Sequence, residues 1–96
     1  MLTRSEIENC VKTLLVRYHA EYAILFGSYA RGEETADSDI DLVVCGGQNF
    51  KKTDIFLFAE ELRKILQKDA DVFEICEINE GTPFYENLMT EGIKIA

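Results

Sequence analysis

The chain has one histidine, three cysteines and one proline in 96 residues. With His19 alone, a histidine-based triad or a multi-histidine metal site is not expected. Cys10, Cys45 and Cys76 are odd in number and widely spaced, with no Cys-x-x-Cys pair. Each lies inside an apolar pattern, so they read as small buried hydrophobes rather than a zinc or disulfide framework. No apolar run approaches the roughly 18 residues that mark a membrane-spanning helix. The opening stretch, Met1-Leu2-Thr3-Arg4-Ser5-Glu6, lacks the apolar core of a signal peptide. These absences predict a cytoplasmic protein with no membrane partner. Repeats, low-complexity tracts and linkers are also missing, which predicts a single domain over residues 1–96 with one modest core.

Basic residues are scarce as well. Ten Lys and Arg stand against 18 Asp and Glu, a formal net charge of −8. A surface this acidic disfavours stable binding to a nucleic-acid backbone. It favours solubility, or a basic protein partner. The hydrophobic share of 47% belongs to a folded globular protein.

Thr3 to Glu6 has the form of a capping box. Ile7, Cys10, Val11, Leu14, Leu15 and Tyr18 follow at helical spacing, predicting a helix that ends near His19. Tyr22 to Phe26 is a short continuous apolar run, as in a strand covered on both faces. A connection over residues 27–38 leads to a second strand, 40–45, ended by Gly46-Gly47-Gln48-Asn49. A helix is expected from Thr53 to Gln67 with a stripe of Ile55, Ala59, Leu62 and Leu66, widened by Phe58 and Ile65. Phe56 and Leu57 fall off that stripe. A third strand is expected over Asp71 to Glu77. Thr82-Pro83 then caps a short helix that Gly92 closes, and 93–96 adds a strand or a tail. The order predicts an α+β fold, a small mixed β-sheet with helices packed on it.

The chemistry is concentrated between the first two strands. Gly27-Ser28 ends the first apolar run, and Asp39-Ile40-Asp41 follows after ten residues. Glycine lets backbone approach a phosphate, and the Ser28 hydroxyl with the following amides can donate to it. Alternation places Asp39, Asp41 and Val43 on one strand face and Ile40, Leu42 and Val44 on the other. Carboxylates two residues apart, roughly 6.5–7 Å along a strand, repel unless a cation lies between them. Magnesium suits this arrangement, because it binds one or two carboxylates together with substrate phosphates. Two such ions can activate a nucleophile and stabilise departing pyrophosphate. Arg31 can reach a phosphate, or pair with Glu34 or Asp37 and shape the loop. Tyr29 either packs against the sheet or meets a partner.

The stretch Leu25-Phe26-Gly27-Ser28-Tyr29-Ala30-Arg31-Gly32 with Ser38-Asp39-Ile40-Asp41-Leu42-Val43 resembles the nucleotidyltransferase superfamily that includes DNA polymerase beta and kanamycin nucleotidyltransferase. Its smallest branch, the minimal nucleotidyltransferases, matches best and over essentially the whole chain. The resemblance implies that fold, with ATP as substrate and Mg2+ as cofactor. It also implies a third acidic residue on a later strand, facing the first two. Asp71, in Ala70-Asp71-Val72-Phe73, takes that place and could accept a hydroxyl proton. Asp69, Glu74 and Glu77 lie close enough that a register slip would exchange them.

Larger members of the superfamily carry a helical domain that grips the acceptor, whereas only about 20 residues follow the third strand here. The acceptor surface is therefore expected from another molecule, with Phe56, Leu57, Phe84, Tyr85 and Leu88 as candidate contacts. Small proteins of this kind accompany HEPN proteins, helical ribonuclease toxins. The resemblance implies an antitoxin that transfers AMP to a toxin tyrosine. The other expectations are a silent module that neutralises or scaffolds a helical partner, and transfer to a small molecule or RNA. A homodimer would let so small a domain gain core.

Overall fold

A computed structural model of the chain describes residues 2–48, 50–75, 78 and 80–96. Helix α1 spans Arg4–Arg17, and its cap is the expected one, with the Glu6 amide donating to Thr3 Oγ1 at 3.2 Å. Strand β1, Tyr22–Phe26, runs into a single helical turn, α2, Ser28–Arg31. Strand β2, Ile40–Cys45, is followed by α3, Lys52–Leu66, and β3, Ala70–Glu74. Helix α4, Pro83–Glu91, and strand β4, Ile93–Ile95, complete the order. Thr82 caps α4 by accepting from the Tyr85 amide at 3.2 Å.

The strands form one mixed sheet in the order β3-β2-β1-β4. β1 runs antiparallel to both β2 and β4, while β2 and β3 are parallel. A parallel pair needs a long crossover, and α3 supplies it. Ile93 to Ile95 thus forms a strand, paired with Ala23 to Leu25.

The two sheet faces have different fates. One carries Ala23, Leu25, Ile40, Leu42 and Val44 into a core closed by Ile7, Val11 and Leu14 of α1 and Ile55, Phe58 and Leu62 of α3. On the other, Ile24 and Val43 pack beneath Leu88 of α4. β1 is therefore covered on both faces, as its continuous apolar run predicts. The second face is covered only in part: Asp41 and Asp71 lie at one end of it, and Tyr22, Cys45, Phe73 and Lys94 share it.

Several expectations are corrected. β3 begins at Ala70 and ends at Glu74, because Ile75 leaves the ladder. Cys76 and Glu77, expected within it, lie outside the described residues, as does Asn49. Ile65 is 54% exposed, because α3 turns the stripe of Ile55, Phe58 and Leu62 onto the sheet and carries Ile65 past its edge. Cys10 and Cys45 are only half-buried free thiols. Cys10 packs at the margin of the core, and Cys45 Sγ donates to Glu21 Oε2 at 3.6 Å. Phe56 and Leu57 are 73% and 51% exposed, consistent with their place off the stripe.

Candidate active site

The site begins with strand register. Across the sheet, Asp41 of β2 stands opposite Phe26 of β1 on one side and opposite Asp71 of β3 on the other. Directly paired residues on neighbouring strands point to the same face, with strands about 4.8 Å apart. Phe26, Asp41 and Asp71 thus form one row. The next row along the strands is Ile24, Val43 and Phe73, which is apolar.

Gly27 turns the chain off the end of β1. Its φ of 73° and ψ of −153° lie where essentially only glycine is stable. There is a second reason for glycine. A Cβ at this position would collide with Asp41 Oδ2 and lie 3.2 Å from Asp41 Cγ. The missing side chain lets the Asp41 carboxylate rest against the turn that starts α2. Ala30 and Arg31 amides each donate back to the Gly27 carbonyl at 3.1 Å, which closes that turn. Its first amides have no partner inside it. Tyr29, 1% exposed, anchors the turn in the core, which decides its role as packing.

The electrostatics follow from this geometry. Burial pushes the Asp41 carboxyl above the usual carboxylate range, and the charges of Asp71 and Asp39 push it further. The Arg31 guanidinium opposes them. Asp39 precedes β2 by one residue and is exposed, yet its charge reaches Asp41. Arg31 pairs with Glu33 at 3.3 Å rather than with Glu34 or Asp37. Gly32, in the left-handed region, turns the chain back so that the Glu33 amide reaches the Ser28 carbonyl at 2.9 Å, and this brings Glu33 beside Arg31.

The structure thus brings Gly27, Ser28, Arg31, Asp39, Asp41 and Asp71 to one end of one sheet face. Among the described residues, no three His, Cys, Asp or Glu side chains close on a point as a complete metal cage. Magnesium does not require one, since it keeps waters and takes its remaining ligands from substrate phosphates. Hard carboxylate oxygens with unbalanced negative charge around Asp41 fit such an ion.

Two positioning residues have no signature in the sequence. Arg63 of α3 donates from Nε and Nη2 to the Ala70 carbonyl at 3.0 and 2.8 Å, clamping the backbone just before Asp71. Lys68 Nζ donates to the Ala36 carbonyl at 2.8 Å and ties down the loop leading to Asp39. Arg63 reaches across the turn between α3 and β3, seven residues on, and Lys68 reaches back 32 residues, and neither contact has a local motif. Beside the carboxylates, Phe84 of α4 meets Phe26 edge-on, with centroids 5.4 Å apart, and Phe73 at 6.4 Å.

The family model described as polymerase beta nucleotidyltransferase matches residues 8–96. A relative from Methanocaldococcus jannaschii, named "Putative protein adenylyltransferase MJ0604", is 44% identical over 91 residues, covering 90% of this chain and 90% of that protein. A chain of a toxin-antitoxin crystal structure with AMP-PNP is similar with a TM-score of 0.78 and 25% identity, over 93% of this chain and 72% of that one. A structure named "putative minimal nucleotidyltransferase" gives a TM-score of 0.77 at 28% identity, over 90% of this chain and 86% of the other. A complex of tri-AMPylated Shewanella oneidensis HEPN toxin with MNT antitoxin shares the fold, with a TM-score of 0.72 at 22% identity, over 96% and 71% of the two chains. The chain therefore belongs to the polymerase beta nucleotidyltransferase family.

Proposed function

We propose that the chain transfers AMP from ATP to a tyrosine hydroxyl of a HEPN-type toxin partner and so acts as an antitoxin. The observation that carries this reading is the row of Asp41 and Asp71 with the Gly27-Ser28 turn set against Asp41. A phosphate-binding turn and paired carboxylates then serve one reaction centre. The name of the relative, and the nucleotide analogue and modified toxin found with structural neighbours, support adenylyl transfer and this class of acceptor.

In this reading the Ser28 hydroxyl and the first amides of α2 donate to the outer phosphates. Arg31 exchanges Glu33 for a phosphate oxygen, at small cost because their pair is exposed. Asp39 and Asp41 would hold magnesium, with Asp71 completing the acidic set. The ion, when bound, neutralises the triphosphate and stabilises charge on the leaving group. Asp71 takes the tyrosine proton while the phenolic oxygen bonds to the α-phosphorus. The bond from that phosphorus to the bridging oxygen breaks, and pyrophosphate leaves with the electron pair.

The test incubates the chain with its HEPN partner, magnesium and ATP labelled at the α-phosphate. Label is expected on the partner and is lost with Asp39→Asn/Asp41→Asn. No label on any protein, with a working control, refutes transfer. A folded double variant that still neutralises the toxin replaces transfer by simple binding.

A further inference from the structure

A cavity of about 260 Å3 opens beside Gly27, between the end of β1 and α4. Phe26, Phe84 and Leu88 form its apolar wall, and Arg31, Asn87 and Glu91 supply its polar groups. Phe84, Asn87 and Glu91 stand three and four residues apart, so one face of α4 presents all three. Phe84 is 44% exposed, which leaves ring surface uncovered. Asn87 and Glu91 are exposed and stand outside both hydrophobic clusters.

The size and charge of the cavity select an occupant. Pockets that enclose a whole drug-sized ligand run to roughly 300–1,000 Å3. This one is slightly smaller, room for a heterocycle rather than a complete nucleotide. Glu91 repels phosphate, whereas Arg31 and Gly27 lie on the side of the Ser28 turn. A nucleotide placed here would direct its phosphates toward Ser28 and its base toward α4. An asparagine amide offers a donor beside an acceptor, the complement of adenine's amine and adjacent ring nitrogen. A carboxylate can only accept, which again favours an edge bearing an amine.

We infer that this cavity binds the adenine base of the nucleoside triphosphate, with Phe84 stacking on the ring and Asn87 reading its amine-bearing edge. The inference rests on the reading that Ser28 and the carboxylates hold the triphosphate. Phe84 supplies affinity for any purine, because every base has a face to stack. Asn87 supplies the preference for the 6-amino group.

Calorimetric titrations of the full chain with ATP, purine riboside triphosphate and inorganic tripolyphosphate, each with magnesium, test it. Purine riboside triphosphate lacks only the 6-amino group of ATP, whereas a rotated asparagine amide would pair equally well with the 6-oxo edge of ITP. ATP should bind about tenfold more tightly than purine riboside triphosphate, the low end for one amide contact at an exposed position. Asn87→Ala should abolish that difference and leave tripolyphosphate unchanged. Phe84→Leu keeps apolar packing but removes the aromatic face. It should weaken both nucleotides alike, by about tenfold, again without changing tripolyphosphate. Wild type that binds ATP no more tightly than tripolyphosphate overturns the base site alone, as do folded variants that bind ATP normally. Wild type that binds neither ATP nor tripolyphosphate overturns the triphosphate site itself.

Discussion

Replacing Gly27 with alanine probes the closest contact in the site. Two costs combine. The backbone conformation, φ 73° and ψ −153°, is one that a residue with a Cβ holds only at about 1–3 kcal/mol. The new Cβ also meets Asp41 Oδ2 head-on, with Asp41 Cγ and Cβ at 3.2 and 3.3 Å. Forcing a group into packed space costs a further ~1–3 kcal/mol. Gly32 is the internal control. Its φ is 72°, but a Cβ there would meet nothing within 4 Å. Gly32→Ala should therefore cost only about 1 kcal/mol, the left-handed penalty less the entropy removed from the unfolded chain. Urea unfolding in EDTA, compared at equal m-value, measures both variants. Gly27→Ala should be the more destabilising by at least about 1 kcal/mol. Asp41→Ala should relieve its collision, so that the double variant recovers ~1–3 kcal/mol of coupling. A coupling within about 0.5 kcal/mol of zero would show that the Asp41 carboxylate does not rest against the turn, and the site built on that approach would fall with it.

Two further outcomes follow from charge and packing. The Asp41 carboxyl is raised in the folded chain by burial and by Asp71 and Asp39, so the folded state binds its proton more readily than the unfolded state does. Metal-free protein should gain stability as pH falls from neutral through the raised value toward the ordinary carboxylate range, and lose it as pH rises. Asp41→Asn should stabilise the metal-free chain at pH 7 by about 1 kcal/mol, from exposed charges roughly 6 Å from the half-buried Asp41 carboxyl. Saturating magnesium should remove that gain; melting curves in EDTA and in magnesium check the sign, and a destabilised Asn variant in EDTA refutes it. In α3, Phe58→Ala should cost about 3–5 kcal/mol because the ring is fully buried. Ile65→Ala should stay within about 0.5 kcal/mol, and equal losses in chemical denaturation would contradict the orientation of that helix.

Much of the local structure is legible in the residues themselves. Thr3 announces α1, and Thr82 with Pro83 announces α4, because a cap acts within three residues of its own position. Alternation along 39–45 separates Asp41 and Val43 from Ile40, Leu42 and Val44, since successive strand residues point to opposite faces. The helical period brings Ile55 and Leu62 onto one face but does not show where that face ends. Ile65 lies past the edge because the sheet that α3 covers is a tertiary object.

The site divides along the same line. Gly27-Ser28, Asp39 and Asp41 can be read from spacing, because a strand end and a strand start each carry a local pattern. The sequence alone also shows that one histidine and three widely spaced cysteines cannot build a multi-histidine or clustered-cysteine centre within this chain. Only the tertiary structure decides that β2 lies between β1 and β3, that Asp71 rather than Asp69 or Glu74 is the register partner of Asp41, and that Gly27 is glycine partly to admit Asp41. The same holds for Arg63 on the Ala70 carbonyl and for the cavity beneath α4. Alternation within a strand is set by the backbone of that strand. Which residue stands opposite is set by all strand pairings and helix packings together, and a slip of one residue would turn every side chain to the other face.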